Sequence, residues 1–223
     1  MITDEFWDEQ LNTDGYFGCG ENYAEDLIER YTNREKTDET LAALGNKQLF
    51  DIEKEGNDWD VLEIGCGYGL YAAHFCQFVK KYVGLDVSNY IIEKGNEALQ
   101  EAQINNAELF TISSCDLSLL GDSLFDLIFT GAVFIHIDPE LTRSYIEQTY
   151  NRLKPGGKFL YHFYMTKAQS IHETTHQYYN EVEFDDLFNN TDLKIIDIAN
   201  HYPDKDHVFY PNQYFRYVYG GRN

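Results

Sequence analysis

The feature that most constrains this chain is an apolar run that ends in closely spaced glycines, residues 61–69, VLEIGCGYG. The apolar part is typical of a buried strand, and the residues from Leu70 onward favour a helix. Glycine lets a strand turn sharply into a helix, which brings backbone N–H groups close to a ligand. In the dinucleotide fingerprint the third glycine would fall on Leu70, whereas here it is Gly69. The spacing therefore predicts a ligand site. It departs from the pattern of a nicotinamide dehydrogenase, which stays as an alternative interpretation of this turn.

Strand-like and helix-like segments alternate after this turn. Such alternation predicts a parallel sheet with helices on both faces. The turn signal Lys154-Pro155-Gly156-Gly157 is expected to close the last helix of the series. The predicted strands are 61–64, 82–87, 109–112, 125–130, 158–165, 193–199 and 207–219, and the predicted helices are 71–79, 90–103 and 139–153.

Composition limits the class of protein. With 17 basic and 38 acidic residues the formal net charge is −21, which disfavours nucleic-acid binding because that binding depends on Lys and Arg. The sequence contains no run of 18 apolar residues and its first residues are acidic, so we expect neither a membrane span nor a signal peptide. The four cysteines form no C-x-x-C pair. Reduced thiols in a cytoplasmic protein are the expectation, and no metal site is expected.

Residues 63–69 match the pattern of an acidic residue followed by x-Gly-x-Gly-x-Gly. In this motif the chain resembles the class I S-adenosylmethionine-dependent methyltransferases, and the likeness extends over roughly residues 59–165. The resemblance implies a Rossmann-like, doubly wound α/β fold. Its sheet would be mostly parallel and seven-stranded, with an antiparallel last strand. It also implies an N-terminal helical lid over residues 1–58 and a methyltransferase domain over residues 59–223, within one domain overall.

The same resemblance implies S-adenosyl-L-methionine as the cofactor. Open α/β sheets bind ligands beyond the carboxyl ends of their strands. Asp86, which ends the second strand, is placed to accept both ribose hydroxyls, although it could instead cap the next helix. Asp116 could likewise only form a turn. The residues expected at the cofactor are Glu63, Gly65, Cys66, Gly67, Tyr68, Gly69, Asp86, Val87, Cys115, Asp116, Leu117, Thr130 and Gly131, with Tyr16 and Tyr23 from the lid.

His136 follows the fourth strand and is the candidate catalytic base. A neutral imidazole can take a proton from a hydroxyl or an ammonium group; the alternative is a histidine that only packs in the loop. We expect methyl transfer to the oxygen or nitrogen of a small molecule, with no partner nucleic acid or membrane. A non-catalytic cofactor-binding protein and a protein or RNA methyltransferase stay open as alternatives. The oligomeric state and the identity of the acceptor are not determined by the sequence.

The segment His172-Glu173-Thr174-Thr175-His176 matches the H-E-x-x-H pattern of zinc peptidases. On a helix the two imidazoles would share one face. The flanking residues lack a long apolar helix, so we interpret His172, Glu173 and His176 as contacts to the acceptor or as surface residues.

Overall fold

The computed structural model describes residues 23–44, 50–173, 176–189, 191–201 and 213–222. These residues form two compact units, an N-terminal unit of residues 23–116 and a C-terminal unit of residues 117–222. None of the described helices is both long enough and apolar enough to cross a bilayer.

The N-terminal unit is a three-stranded parallel sheet with helices. The strand order is β3-β2-β1, and Ile64 pairs with Leu85, which in turn pairs with Phe110. Its elements are α1 (Tyr23–Thr32), α2 (Arg34–Ala43), α3 (Ile52–Glu55), β1 (Asp60–Ile64), α4 (Leu70–Phe75), β2 (Lys81–Asp86), α5 (Asn89–Glu101) and β3 (Ala107–Thr111).

Local chemistry explains these elements. Residues 61–64 are all buried, as expected for a strand that is covered on both faces of a parallel sheet. Ser88 caps α5, because its side chain accepts a hydrogen bond from the Ile91 N–H. The buried residues of α5 recur at helical spacing and are Ile91, Ile92, Gly95, Ala98 and Leu99.

The C-terminal unit is organised around one long strand, β5, which runs parallel to β4 and β7 and antiparallel to β9. Strand β9 also pairs with β8, and β6 with β7, both antiparallel. The elements are β4 (Phe125–Thr130), α6 (Pro139–Arg152), β5 (Leu153–Thr166), β6 (Ile171–His172), β7 (Gln177–Tyr179), α7 (Glu181–Phe188), β8 (Lys194–His201) and β9 (Gln213–Gly221).

The two faces of β5 carry different side chains. Phe159, Tyr161 and Phe163 lie on the face that packs against α6 and α7: the Tyr161 hydroxyl hydrogen-bonds Thr149, and the Phe163 ring lies edge-on to Phe184 at 5.2 Å. The opposite face carries His162 and Tyr164, because side chains alternate along a strand.

The predicted α/β fold with mostly parallel strands and an antiparallel last strand is confirmed. Seven strands were expected, but the described residues hold three in the N-terminal unit and six in the C-terminal unit. The additional strands β6 and β7 form a short hairpin in a segment whose polar composition predicts no regular structure.

The turn predicted at residues 154–157 is wrong in part, because β5 already begins at Leu153. The glycines form an irregularity in the strand: Phe125 pairs with Leu153, and Leu127 already with Lys158. The Gly156 N–H donates to the Arg222 carbonyl. Hydrogen bonds with the residue that follows β9 thus hold this segment in the sheet, while Gly156 turns locally at a φ of 78°.

Candidate functional site

The glycine turn after β1 is a backbone structure that only glycine accommodates without strain. Gly65, Gly67 and Gly69 have φ angles of 74°, 53° and 91°, a region that other residues rarely adopt. The Gly65 and Cys66 N–H groups donate to the Leu85 carbonyl at 2.7 and 3.0 Å. The turn is thereby attached to the end of β2 and leads directly into α4.

Asp86 holds the turn through its side chain. One carboxylate oxygen accepts from the Gly67 N–H at 2.9 Å, and the other accepts from the Ser88 N–H at 3.1 Å. Ser88, not Asp86, caps α5. The alternative that Asp86 is only the cap of this helix is therefore wrong. A carboxylate oxygen has two lone pairs, and each can accept a further hydrogen bond from a ligand hydroxyl.

Glu63 lies beneath the turn and is buried, with 1% of its surface exposed. The Tyr82 hydroxyl donates to its carboxyl group. Burial, reinforced by the nearby Asp86 carboxylate, raises the pKa of Glu63 well above its usual value. The same two causes, with Glu63 itself as a third, raise the pKa of the Cys66 thiol. Burial and the Asp86 carboxylate therefore both favour the protonated form of Glu63 and of Cys66.

Helix α1 places three side chains at the turn residue Tyr68. The Tyr23 ring lies 4.8 Å from the Tyr68 ring, and the Tyr68 hydroxyl donates to Asp26 at 2.7 Å. Arg30 donates to the same carboxylate at 2.7 Å. Burial raises the pKa of Asp26, but the hydrogen bonds from Arg30 and Tyr68 outweigh it and leave the pKa below its usual value. The predicted lid residue Tyr23 thus contacts the turn, whereas Tyr16 lies outside the described residues.

Two further glycines allow close packing under the turn. A Cβ at Gly84 would lie 2.7 Å from the Cys66 sulfur. A Cβ at Gly95 in α5 would lie 2.7 Å from the Tyr68 carbonyl oxygen and 2.6 Å from Leu109. Helix α5 and strand β2 therefore approach the turn more closely than any side chain would permit.

The acidic loop after β3 forms a turn, in which the Asp116 N–H donates to the Ser113 carbonyl at 3.2 Å. Ser114 has a φ of 53°, which is strained for a residue with a side chain. Asp116 is exposed and Cys115 half-buried. Val87 follows Asp86 directly, and Leu117 is buried at the start of the C-terminal unit.

The C-terminal unit carries the other predicted site residues. The Thr130 side-chain oxygen is buried at the end of β4 and has no hydrogen-bond partner among the described residues. Gly131 follows, and Ala132 has a φ of 59°. His136 is half-buried, and its backbone N–H donates to the Val133 carbonyl at 2.9 Å. This loop is thus turned tightly where the sequence predicts function.

In the H-E-x-x-H segment His172 ends β6 and His176 directly precedes β7, so neither imidazole lies on a helix. The two ring nitrogens of His172 lie 2.9 Å from Gln177 and 2.9 Å from Glu183, whereas the His176 ring lies 5.3 Å from the His136 ring. The two imidazoles therefore have different partners. Within the described part of the chain no three potential ligands cluster to hold a metal.

The sequence did not single out Asp26, Arg30 or His162. Asp26 and Arg30 look like an ordinary i, i+4 surface pair, and no sequence signal distinguishes them. For His162 the sequence does contain a signal that could have indicated a function. It is an ionisable residue in the middle of an apolar strand whose other residues there are mostly buried.

Comparison with known proteins agrees with this geometry. Residues 62–159 match the family model of a methyltransferase domain. Thiocyanate methyltransferase 1 of Brassica oleracea is 33% identical over 97 residues, which cover 43% of this chain and 42% of that protein. The chain thus spans less than half the length of this curated relative.

Solved structures match over nearly the whole chain. Magnesium protoporphyrin IX methyltransferase from Synechocystis PCC 6803 with bound SAM has a TM-score of 0.65 at 16% identity, covering 99% of this chain and 97% of that one. The [4+2]-cyclase SpnF has a TM-score of 0.69 at 10% identity, with 99% and 97% coverage. At these identities the likeness concerns the fold. Together with the family model, these matches confirm the resemblance to class I methyltransferases.

Proposed function

Because residues 62–159 carry a methyltransferase domain of the class I fold, we propose that this protein transfers the methyl group of S-adenosylmethionine to the oxygen or nitrogen of a small molecule. The observation that carries the proposal is the pairing of the Gly67 N–H with the Asp86 carboxylate at the ends of β1 and β2. The carboxylate in this pairing lies at the carboxyl end of β2, where open α/β sheets bind ligands, and we propose that it accepts hydrogen bonds from the ribose hydroxyls.

The residues present fit the cofactor. The Asp86 carboxylate lies at the end of β2, and the turn beside it holds Gly65, Gly67 and Gly69 at positive φ. The buried, unpartnered Thr130 hydroxyl is suited to a polar ligand group. We propose that the cofactor is held by Glu63, Gly65, Cys66, Gly67, Tyr68, Gly69, Asp86, Val87, Cys115, Asp116, Leu117, Thr130 and Gly131, with Tyr16 and Tyr23 from the lid.

When bound, the cofactor supplies a methyl group already activated by its sulfonium charge. The protein's own task is then to orient the acceptor and remove its proton. We assign the removal of the proton to His136, which is half-buried in the tightly turned loop after β4. We also propose that residues 1–58 cover the cofactor, since α1 already contacts the turn through Tyr23.

Several features support a small-molecule acceptor in the cytoplasm. The net charge of −21 disfavours nucleic acid, and relatives with this domain include a thiocyanate methyltransferase. Cys66, Cys76 and Cys115 are free thiols, as expected in a reducing compartment.

Calorimetry and a transfer assay test the proposal. We expect S-adenosylmethionine and S-adenosylhomocysteine to bind the full chain at micromolar concentrations, and NADH not to bind. Methyl-labelled cofactor with a panel of phenols, amines and small anions should give a labelled product. Binding of NADH in place of the sulfonium compound would overturn the assignment.

A second candidate function is cofactor binding without methyl transfer. The match to a [4+2]-cyclase is the observation that favours this candidate. It illustrates that a shared fold does not by itself imply methyl transfer. Persistent cofactor binding with no labelled product across the whole panel would decide for this candidate.

A further inference from the structure

The C-terminal unit contains a group of aromatic and imidazole rings that the proposed cofactor site does not use. The rings come from the loop after β4, from β5, from the hairpin leading into β7 and from β9. We define this histidine–tyrosine cluster as His136, His162, Tyr164, His176, Tyr178 and Tyr217.

His162 is at the centre of the cluster. Its ring stacks on Tyr217 with centroids 4.7 Å apart and an interplanar angle of 12°. The Tyr164 ring stands edge-on to it at 5.7 Å and lies parallel to His176 at 6.2 Å and 4°. His176 in turn lies 5.3 Å from His136. Tyr217 thus covers one face of the His162 ring, and Tyr164 links this pair to the rings of His176 and His136.

The Nε2 atom of His162 has no hydrogen-bond partner among the described residues, and only 9% of the residue is exposed. An unpaired buried polar atom is unfavourable, and native proteins rarely retain one without a reason. Burial, and next to it the proximity of His136, lowers the pKa of His162 to about 4. The imidazole is therefore neutral at neutral pH and offers Nε2 to a partner that the described residues do not supply.

The tyrosines of the cluster are also uncharged. Burial raises the pKa of Tyr164 and Tyr217, and it raises that of Tyr178 to about 12. No member is a lysine, arginine or carboxylate, so the cluster has no permanent charge with which to balance a charged ligand. Flat rings favour stacking with a flat aromatic ligand.

A hydroxyl group is the polar partner that suits His162 best. Nε2 carries a proton in one neutral tautomer and a lone pair in the other. A hydroxyl can accept from the first and donate to the second, so it satisfies Nε2 in either case. An aromatic ring that carries a hydroxyl therefore matches both the apolar faces and the unpaired nitrogen.

We propose that the histidine–tyrosine cluster binds the methyl acceptor and that the acceptor is a hydroxylated aromatic compound whose hydroxyl group hydrogen-bonds His162. This inference deepens the proposed function and rests on it, because the bound phenol is a methyl acceptor only if the protein transfers methyl groups. In the transfer the hydroxyl oxygen gains the methyl carbon and loses its proton to His136, and the cofactor leaves as its neutral thioether.

Binding of a simple phenol tests the inference without turnover. The probe is umbelliferone, a flat hydroxylated coumarin, and coumarin itself is the matched ligand, because it lacks the hydroxyl group and can neither donate nor accept a hydrogen bond at that position. Calorimetry is carried out on the full chain and on His162→Phe, with and without S-adenosylhomocysteine. We expect His162→Phe to weaken umbelliferone binding about tenfold, as for one lost hydrogen bond, and to leave binding of coumarin unchanged.

His172→Phe is the matched control, because both ring nitrogens of His172 are already engaged by Gln177 and Glu183 and the ring lies outside the cluster. It should bind both coumarins as the wild type does. Imidazole nitrogen NMR of the wild-type protein needs no variant: the His162 Nε2 resonance should shift on addition of umbelliferone and not on addition of coumarin.

The outcomes separate this inference from the proposed function. If the protein binds S-adenosylmethionine but neither umbelliferone nor any other phenol of the panel, the inference is overturned and the proposed function stands. Equal weakening of umbelliferone and coumarin, or an unmoved Nε2 resonance, also overturns it. Phenol binding in a protein that does not bind the cofactor would leave the cluster assigned and overturn the methyltransferase proposal.

Discussion

At the scale of single residues, the candidate cofactor site depends on backbone at positive φ, which favours glycine, and on one carboxylate. Gly67 combines both, since its φ is 53° and its N–H donates to Asp86 at 2.9 Å. A side chain at this position would cost about 1–2 kcal/mol of backbone strain. It would also stand where the ligand is expected.

We expect Asp86→Ala to weaken binding of S-adenosylmethionine about 100-fold or more, since two charge-assisted hydrogen bonds of about 1.5–3 kcal/mol each are lost. Gly67→Arg should abolish detectable binding. Isothermal titration calorimetry measures both effects.

The matched control for these two variants is Glu108→Ala, which removes an exposed carboxylate of the same unit that pairs with Lys81. It changes the net charge as Asp86→Ala does and should bind the cofactor normally. Unaltered affinity in both Asp86→Ala and Gly67→Arg would remove the turn from the site.

For His136 we expect His136→Ala to lower the rate of methyl transfer by about 100-fold, the scale of general base catalysis, while the dissociation constant of the cofactor stays within about twofold. The measurement is kcat in the transfer assay beside calorimetry. A variant with wild-type turnover would show that His136 only packs in its loop.

At the scale of elements, the decisive contact is between helix α5 and the glycine turn. Gly95 allows this contact, because a Cβ there would overlap the Tyr68 carbonyl oxygen at 2.7 Å and Leu109 at 2.6 Å. The helix itself would be more stable with alanine at this position, by about 1 kcal/mol. Close packing against the turn therefore outweighs helix propensity.

Gly95→Ala should consequently destabilise the protein by about 1–3 kcal/mol, the cost of overpacking, and weaken cofactor binding because the Tyr68 backbone must shift. Urea denaturation and calorimetry measure the two effects.

Ala98→Gly serves as the control on the same buried face of α5. It should lower the free energy of unfolding by about 1 kcal/mol through helix propensity and leave cofactor affinity unchanged. A gain of stability in Gly95→Ala would contradict the proposed contact.

At the scale of the whole molecule, each unit buries a histidine that resists protonation. Burial lowers the pKa of His74 to about 4, with nearby Arg30 as the next cause, and the pKa of His162 to about 4 as well. An ordinary histidine in the unfolded chain titrates near pH 6.5. Between about pH 6.5 and pH 4 the unfolded state therefore binds more protons than the native state, so stability falls as the pH falls.

We expect each of these rings to remove about 2 kcal/mol of stability when the pH is lowered from 7 to 5. His74→Gln and His162→Phe should each show a correspondingly smaller loss. Glu63 acts in the opposite direction, since a raised native pKa gives stability that is lost as the pH rises. Urea denaturation at the two pH values isolates the contribution of each histidine.

Gln77→Ala is the non-titrating control for His74, because it breaks a hydrogen bond to the same Thr37 hydroxyl. It should lower stability equally at both pH values. An unchanged pH dependence in both histidine variants would refute the assigned cause of acid sensitivity.

Much of the fold was predictable from local patterns. The strands at 61–64 and 125–130 and the helix after Ser88 follow from apolar runs and a cap, which act within a few residues. The turn predicted at residues 154–157 was wrong in part. Backbone hydrogen bonds with Arg222, far away in the sequence, hold this segment in the sheet as part of β5. The β6–β7 hairpin was missed because two short strands have no periodicity to detect.

The sequence by itself determined the glycine turn, the acidic residue that ends β2 and the strand–helix alternation, since each depends on residue type and short spacing. Only the tertiary structure decided that Asp86 holds the Gly67 N–H, that Asp26 and Arg30 meet Tyr68, and that His162 keeps an unpaired nitrogen among stacked rings. These features depend on residues distant in the chain, whose approach is set by packing and by the burial of polar groups.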